Sequence, residues 1–194
     1  MTEPSFDPPR LAVFCGARTG SKSEYSEGAR ALGRCLVARG LGLVYGGGSV
    51  GLMGVIADEV LAGGGEVIGV IPERLARPEI AHDGLSQLHV VDGMHPRKAL
   101  MAELSAGFIA MPGGMGTLEE LFEALTWTQL RIHDKPVGLL NTAGYWTPLL
   151  ELMDASVSEG FIDAAHRPLL LSEETPGDLI DRLVAWRPGD TPSS

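Results

Sequence analysis

Short apolar runs alternate along this chain with longer runs of helical period, and nearly every join carries glycine or proline. The apolar runs fall at residues 11–15, 41–45, 66–71, 87–91, 107–111, 136–140 and 166–171. Most of them are apolar at consecutive positions, so both faces of the strands they form must be covered. Strands alternating with amphipathic helices imply a parallel sheet with helices on both sides and right-handed crossovers. The expected class is α/β, with a mainly parallel sheet of about seven strands. No interior linker divides the chain, so one domain is expected over residues 11–186. A proline-rich lead-in at 1–10 and a tail at 187–194 contribute little.

The joins explain an unusual composition. The chain holds 26 glycines in 194 residues, and they cluster at the ends of the apolar runs. In Ala110-Met111-Pro112-Gly113-Gly114-Met115-Gly116-Thr117-Leu118-Glu119-Glu120, a strand runs into a glycine loop and then into a helix start. Glycines there let an anion approach backbone N–H groups, and a helix N-terminus adds unpaired donors and partial positive charge. In the helix that follows, Leu118, Leu121, Phe122 and Leu125 recur at core spacing. Glu120 then falls nearly opposite that face, toward solvent, a cleft or a partner subunit, with Glu119 and Glu123 flanking it.

Other features carry less. Gly46, Gly48 and Gly51 match the G-x-G-x-x-G dinucleotide fingerprint in form, but after the second strand and without the acidic residue due about 20 positions later. A second ligand-facing loop or close packing fits them as well. Ser21 and Glu24 have capping-box spacing, and Thr175-Pro176-Gly177-Asp178 reads as a helix start. Arg97 and Lys98 stand near the start of a helix, where cations oppose the dipole unless an anion is near. Cys15 ends the first strand near the expected crevice and is expected to be a structural thiol. The five histidines show no metal-ligand spacing, so no metal site is expected. No Walker loop is present. A net charge of −10 argues against nucleic acid as a partner. No apolar stretch is long enough to suggest a membrane, and two cysteines without CxxC spacing suit a cytoplasmic protein.

From about Leu11 to Leu183 the chain resembles the LOG ("Lonely Guy") family of cytokinin riboside 5′-monophosphate phosphoribohydrolases. Pro112-Gly113-Gly114-Met115-Gly116-Thr117-Leu118-Glu119-Glu120 fits its P-G-G-x-G-T-x-x-E signature. Met94-His95-Pro96-Arg97-Lys98-Ala99 is similar to its second motif, and Gly46-Gly47-Gly48 and Ile132 to Gly138 match further stretches. The resemblance implies a Rossmann-like three-layer α/β/α fold and a homodimer with active sites near the subunit interface. It also implies cleavage of nucleoside 5′-monophosphates, AMP and N6-modified AMP among them, to free base and ribose 5-phosphate, with no cofactor. By the same resemblance Arg97 and Glu120 are the catalytic pair. Glu79, Lys98, Gly113, Gly114, Met115, Gly116, Thr117, Leu118, Glu119 and Thr126 fall on substrate-contacting positions. The first loop departs from the family's Cys-Gly-Ser-Ser, reading Cys15-Gly16-Ala17-Arg18. A lysine decarboxylase label carried by some relatives finds no pyridoxal-binding lysine context in this sequence. The alternative function is a non-catalytic nucleotide-binding or carrier protein of the same fold. A nicotinamide-dependent oxidoreductase ranks below both.

Overall fold

In the computed structural model, which describes residues 9–76 and 81–187, seven strands form one sheet. They are β1 (Arg10–Phe14), β2 (Gly42–Tyr45), β3 (Val67–Pro72), β4 (Gln87–Val91), β5 (Phe108–Ala110), β6 (Val137–Leu140) and β7 (Leu170–Glu173). Every pairing is parallel, in the order β4-β3-β2-β1-β5-β6-β7. The helices between them are α1 (Ser23–Ala38), α2 (Gly51–Ala62), α3 (Met94–Glu103), α4 (Met115–Gln129), α5 (Thr147–Ser158) and α6 (Pro176–Ala185).

Two apolar clusters lie on opposite faces of the sheet, as strands buried on both sides require. One joins Leu32 and Leu36 of α1, Ile56 and Val60 of α2, and Leu179 and Leu183 of α6 to the sheet. The other joins Met101 of α3, Leu121 and Leu125 of α4, and Met153 of α5 to its reverse face. The result is the expected α/β/α sandwich. Its edge is less covered, and Leu88 and Val90 of β4 are exposed.

The strand order creates the crevice. The chain winds outward from β1 through β2 and β3 to β4, then returns to place β5 on the other side of β1. The loops after β1 and β5 therefore diverge, and ligands of open α/β sheets bind at such switch points.

Three local expectations need correction. Ser21 and Glu24 make no capping box: α1 starts at Ser23, and its cap residue Lys22 makes no side-chain cap bond. The last strand is not residues 166–171, because Ala164–Leu169 forms a 3₁₀ turn and the strand is Leu170–Glu173. Pro168 has no N–H to give a ladder, and Asp163 fixes the turn by accepting from the Ala165 N–H at 2.8 Å. The lead-in also ends earlier, since Arg10 already belongs to β1. At α6 the expected cap forms, the Asp178 N–H donating to Thr175 Oγ1 at 3.3 Å.

Candidate active site

Loops from the carboxyl ends of β1, β2, β3, β5 and β6 enclose a cavity of about 730 Å³. Residues 15–20 after β1, Gly46 and Gly48 after β2, Pro72 at the end of β3 and Leu75 after it, residues 112–117 after β5 and Tyr145 after β6 line it. Three helices begin at or beside this cavity: α1, α2 and α4. None has a side-chain cap, their cap residues being Lys22, Val50 and Gly114. First-turn N–H groups without a side-chain acceptor remain available to a bound anion. At α4 the approach is open, with no neighbouring atoms where side chains on Gly114 or Gly116 would lie.

Two glycines of the second loop are there for space. A β-carbon on Gly46 would run into the Arg97 guanidinium. Gly51 holds a left-handed φ of +63°, and a β-carbon there would strike the backbone of Ala17 in the first loop. The third glycine of the fingerprint is thus a packing residue, while Gly46 and Gly48 face the cavity.

Arg97 comes from α3 and Glu120 from α4. Arg97 Nη1 stands 2.9 Å from Glu120 Oε1, and both side chains are buried, at 12% and 8% exposure. Arg97 Nε also donates to the Val70 carbonyl of β3 at 3.0 Å, which fixes the guanidinium plane. That plane presents no well-aligned N–H to the carboxylate, and Glu120 Oε1 is buried without a hydrogen-bond donor. Burial raises the Glu120 pKa above the usual carboxylate range; Arg97 pulls it back, while Glu119 pushes it up. Burial, reinforced by Glu120, also drives the Cys15 thiol far up, so it stays protonated. That suits a structural cysteine, not a nucleophile.

The expected face of α4 is therefore out of phase. Its buried residues are Thr117, Glu120, Leu121, Ala124, Leu125 and Thr128. Phe122 is exposed instead of buried, while Glu120 is buried in the wall of the cleft, one of the three surroundings expected for it. Polar side chains hold this inner face because each has a local partner or a cavity. Thr128 Oγ1, for one, donates to the Lys135 carbonyl at 3.0 Å.

Of the substrate-contacting positions suggested by resemblance, Gly113, Gly114, Met115, Gly116 and Thr117 line the cavity with Arg97 and Glu120. Lys98, Leu118, Glu119 and Thr126 do not, and Thr126 is exposed on α4. Lys98 turns away, to Glu119 and to Glu123 at 3.0 Å. Glu79 lies outside the described residues. Sequence reasoning missed Tyr145, whose hydroxyl donates to the Gly113 carbonyl and whose ring meets Tyr25 edge-on. Its position just past β6 was the available signal, because side chains there face the crevice. Among the described residues no group of three or more His, Cys, Asp or Glu is arranged to hold a metal ion, and no helix is long and apolar enough to cross a membrane.

Comparison with known proteins adds a family. The family model described as "Possible lysine decarboxylase" matches residues 53–183. A probable cytokinin riboside 5′-monophosphate phosphoribohydrolase of Oryza sativa subsp. japonica, LOGL2, is 51% identical over 179 residues, covering 92% of this chain and 73% of the relative. The Arabidopsis thaliana cytokinin riboside 5′-monophosphate phosphoribohydrolase LOG3 is 49% identical, covering 92% and 83%. Among solved structures, the molybdenum cofactor binding protein of Rippkaea orientalis superposes with a TM-score of 0.69 at 22% identity, covering 91% of this chain and 96% of that one. The molybdenum cofactor carrier protein of Chlamydomonas reinhardtii gives 0.67 at 24% identity, covering 91% and 98%. At those identities the likeness establishes the fold alone.

Proposed function

This chain belongs to the LOG family of cytokinin riboside 5′-monophosphate phosphoribohydrolases, and from that premise we propose that it hydrolyses the N-glycosidic bond of adenosine 5′-monophosphates. N6-modified AMP and AMP itself are the substrates, and free base and ribose 5-phosphate are the products. The juxtaposition of Arg97 and Glu120 with the uncapped start of α4 in one cavity carries this reading.

Breaking the bond develops positive charge at the ribose C1′, which a nearby carboxylate stabilises. Glu120 takes that role. Its burial keeps its charge undiluted by water, and its raised pKa suits it to accept a proton from the attacking water. Water oxygen bonds to C1′ as the C1′–N bond breaks; the bonding pair leaves with the base, and the water's proton ends on that base. Arg97 favours the ionised form of Glu120 against the pull of burial and offers its planar fork to the ribose hydroxyls. Gly113, Gly114, Met115, Gly116 and Thr117 receive the 5′-phosphate at the helix start, and Arg18, exposed in the first loop, adds a cation where relatives carry serine. Lys98, Leu118, Glu119 and Thr126 stand outside this cavity wall.

A pyridoxal-dependent decarboxylase needs a lysine for its Schiff base. The cavity lining contains none among the described residues, so the decarboxylase description is set aside. We further propose a homodimer in which a second copy covers the exposed Phe122 of α4, and a reducing, cytoplasmic setting suited to two free cysteines. Light scattering on the purified protein tests the first of these.

The decisive assay is chromatography of AMP and N6-substituted AMP after incubation with the purified chain, with nucleosides and triphosphates as controls. Release of base and ribose 5-phosphate from monophosphates alone is expected. Binding of AMP without release would select a non-catalytic carrier.

A further inference from the structure

Lys98 is the puzzle beside the cleft. Its side chain is 7% exposed, an uncommon burial for an ammonium group. Its Nζ donates to Glu119 Oε1 and, at 3.0 Å, to Glu123 Oε1. It lines a recess of only about 10 Å³ together with Glu120, Glu123, Phe14, Phe108 and Trp127. No phosphate or ribose fits there. Glu120 is the partition, since it lines both this space and the large cavity.

We propose that Lys98 and Glu123 are positioning residues for Glu120, holding α3 against α4 and balancing charge behind the carboxylate, and that Lys98 is not a ligand of the substrate. This rests on the reaction proposed above. Arg97–Glu120, Lys98–Glu119 and Lys98–Glu123 all link the same two helices. Loss of the Lys98 links loosens the frame that sets the separation of Arg97 and Glu120. Lys98 also offsets two carboxylates that flank Glu120 within little more than a turn of α4. The groups facing Glu120 are Arg97 and Lys98 from α3, Glu119 and Glu123 from α4, and the neutral Cys15 at the end of β1. Glu120 itself is buried, so each of these charges shifts its proton equilibrium, Glu119 least shielded from water at 51% exposure. Arg97 and Lys98 favour the carboxylate; Glu119 and Glu123 disfavour it.

The test compares Lys98→Met, Lys98→Arg and Glu123→Gln with the unmodified chain. It uses turnover of AMP against pH, calorimetric binding of ribose 5-phosphate, and a ¹³C NMR titration of the Glu120 carboxyl. Lys98→Met is expected to lower kcat about 10-fold or more while KM and ribose 5-phosphate affinity stay within about 2-fold. Its Glu120 titration and acid limb move to higher pH. Glu123→Gln moves both to lower pH, and Lys98→Arg restores most of kcat. A purely structural role would not shift the two variants in opposite directions. Weakened ribose 5-phosphate binding with kcat retained in Lys98→Met would make Lys98 a ligand and overturn the proposal, as would titrations unmoved in both variants. If the unmodified chain releases no ribose 5-phosphate, the proposed reaction fails, and the NMR titrations still decide the role of Lys98.

Discussion

Arg97 and Lys98 are consecutive residues of one helix, and both reach carboxylates on α4, yet they meet opposite circumstances. The Lys98 ammonium has two carboxylate acceptors. Burial works against its charge, but the hydrogen bonds to Glu119 and Glu123 outweigh that and raise its pKa. The Arg97–Glu120 contact is as close, but it lacks hydrogen-bond alignment and borders the cavity. Burial raises the Glu120 pKa even with a guanidinium beside it. One cluster is satisfied and anchors the two helices. The other is held in an unfavourable state, which is what a charge kept for chemistry requires.

The largest test of that contrast is Glu120→Gln, expected to lower kcat on AMP by about 10²- to 10³-fold, as loss of one charge-stabilising group commonly does. Its stability should move the other way. Because the folded pKa of Glu120 is raised, its contribution to stability is present below the unfolded pKa and lost as pH rises through the folded one. Above its folded pKa the ionised carboxylate therefore costs stability, and there thermal melting of Glu120→Gln should occur at or above the unmodified temperature. A clearly lower melting temperature would erase the distinction between the two clusters.

Lys98→Met should instead destabilise the fold, by about 1–3 kcal/mol for hydrogen bonds to charged groups in denaturant unfolding. The raised Lys98 pKa means that this stabilisation is fully present below the unfolded lysine value and disappears as pH rises through the folded one. The stability gap between the two proteins should accordingly close in strongly alkaline solution. Ribose 5-phosphate should raise the melting temperature by occupying the uncapped helix starts, equivalent to about 2.7 kcal/mol at a ligand concentration of 100 Kd. The smallest effect is expected from Arg18→Ala, a rise in KM of about 5-fold, or ~1 kcal/mol, with kcat preserved. An unchanged KM would leave phosphate binding to the backbone alone.

The sheet was legible in the sequence because strands buried on both faces leave continuous apolar runs, and six of the seven lay within a residue or so of expectation. The seventh slipped because the three leucines after Pro168 look like a strand already under way while the proline delays it. The Arg97–Glu120 association was legible from motif positions, but the phase of α4 was not. Counting Leu118 and Phe122 as core is sound for a helix whose inner face is wholly apolar. Here a carboxylate and two threonines occupy that face, so periodicity assigned Phe122 inward and Glu120 outward. Tyr145 was missed for a different reason: its place past β6 was a hint, but its contact with Gly113 joins loops 32 residues apart, and no spacing rule reports that.

Gly46 shows how one missing side chain can govern a distant one. It is not among the glycines at positive φ, so its conformation alone does not demand glycine. A methyl group there would meet the Arg97 guanidinium, which would have to shift. The two positions are therefore halves of one shape, contributed by separate crossovers. In designing a variant library, Gly46 belongs with the active-site residues, since a methyl group at this position would displace the arginine without altering a single charge.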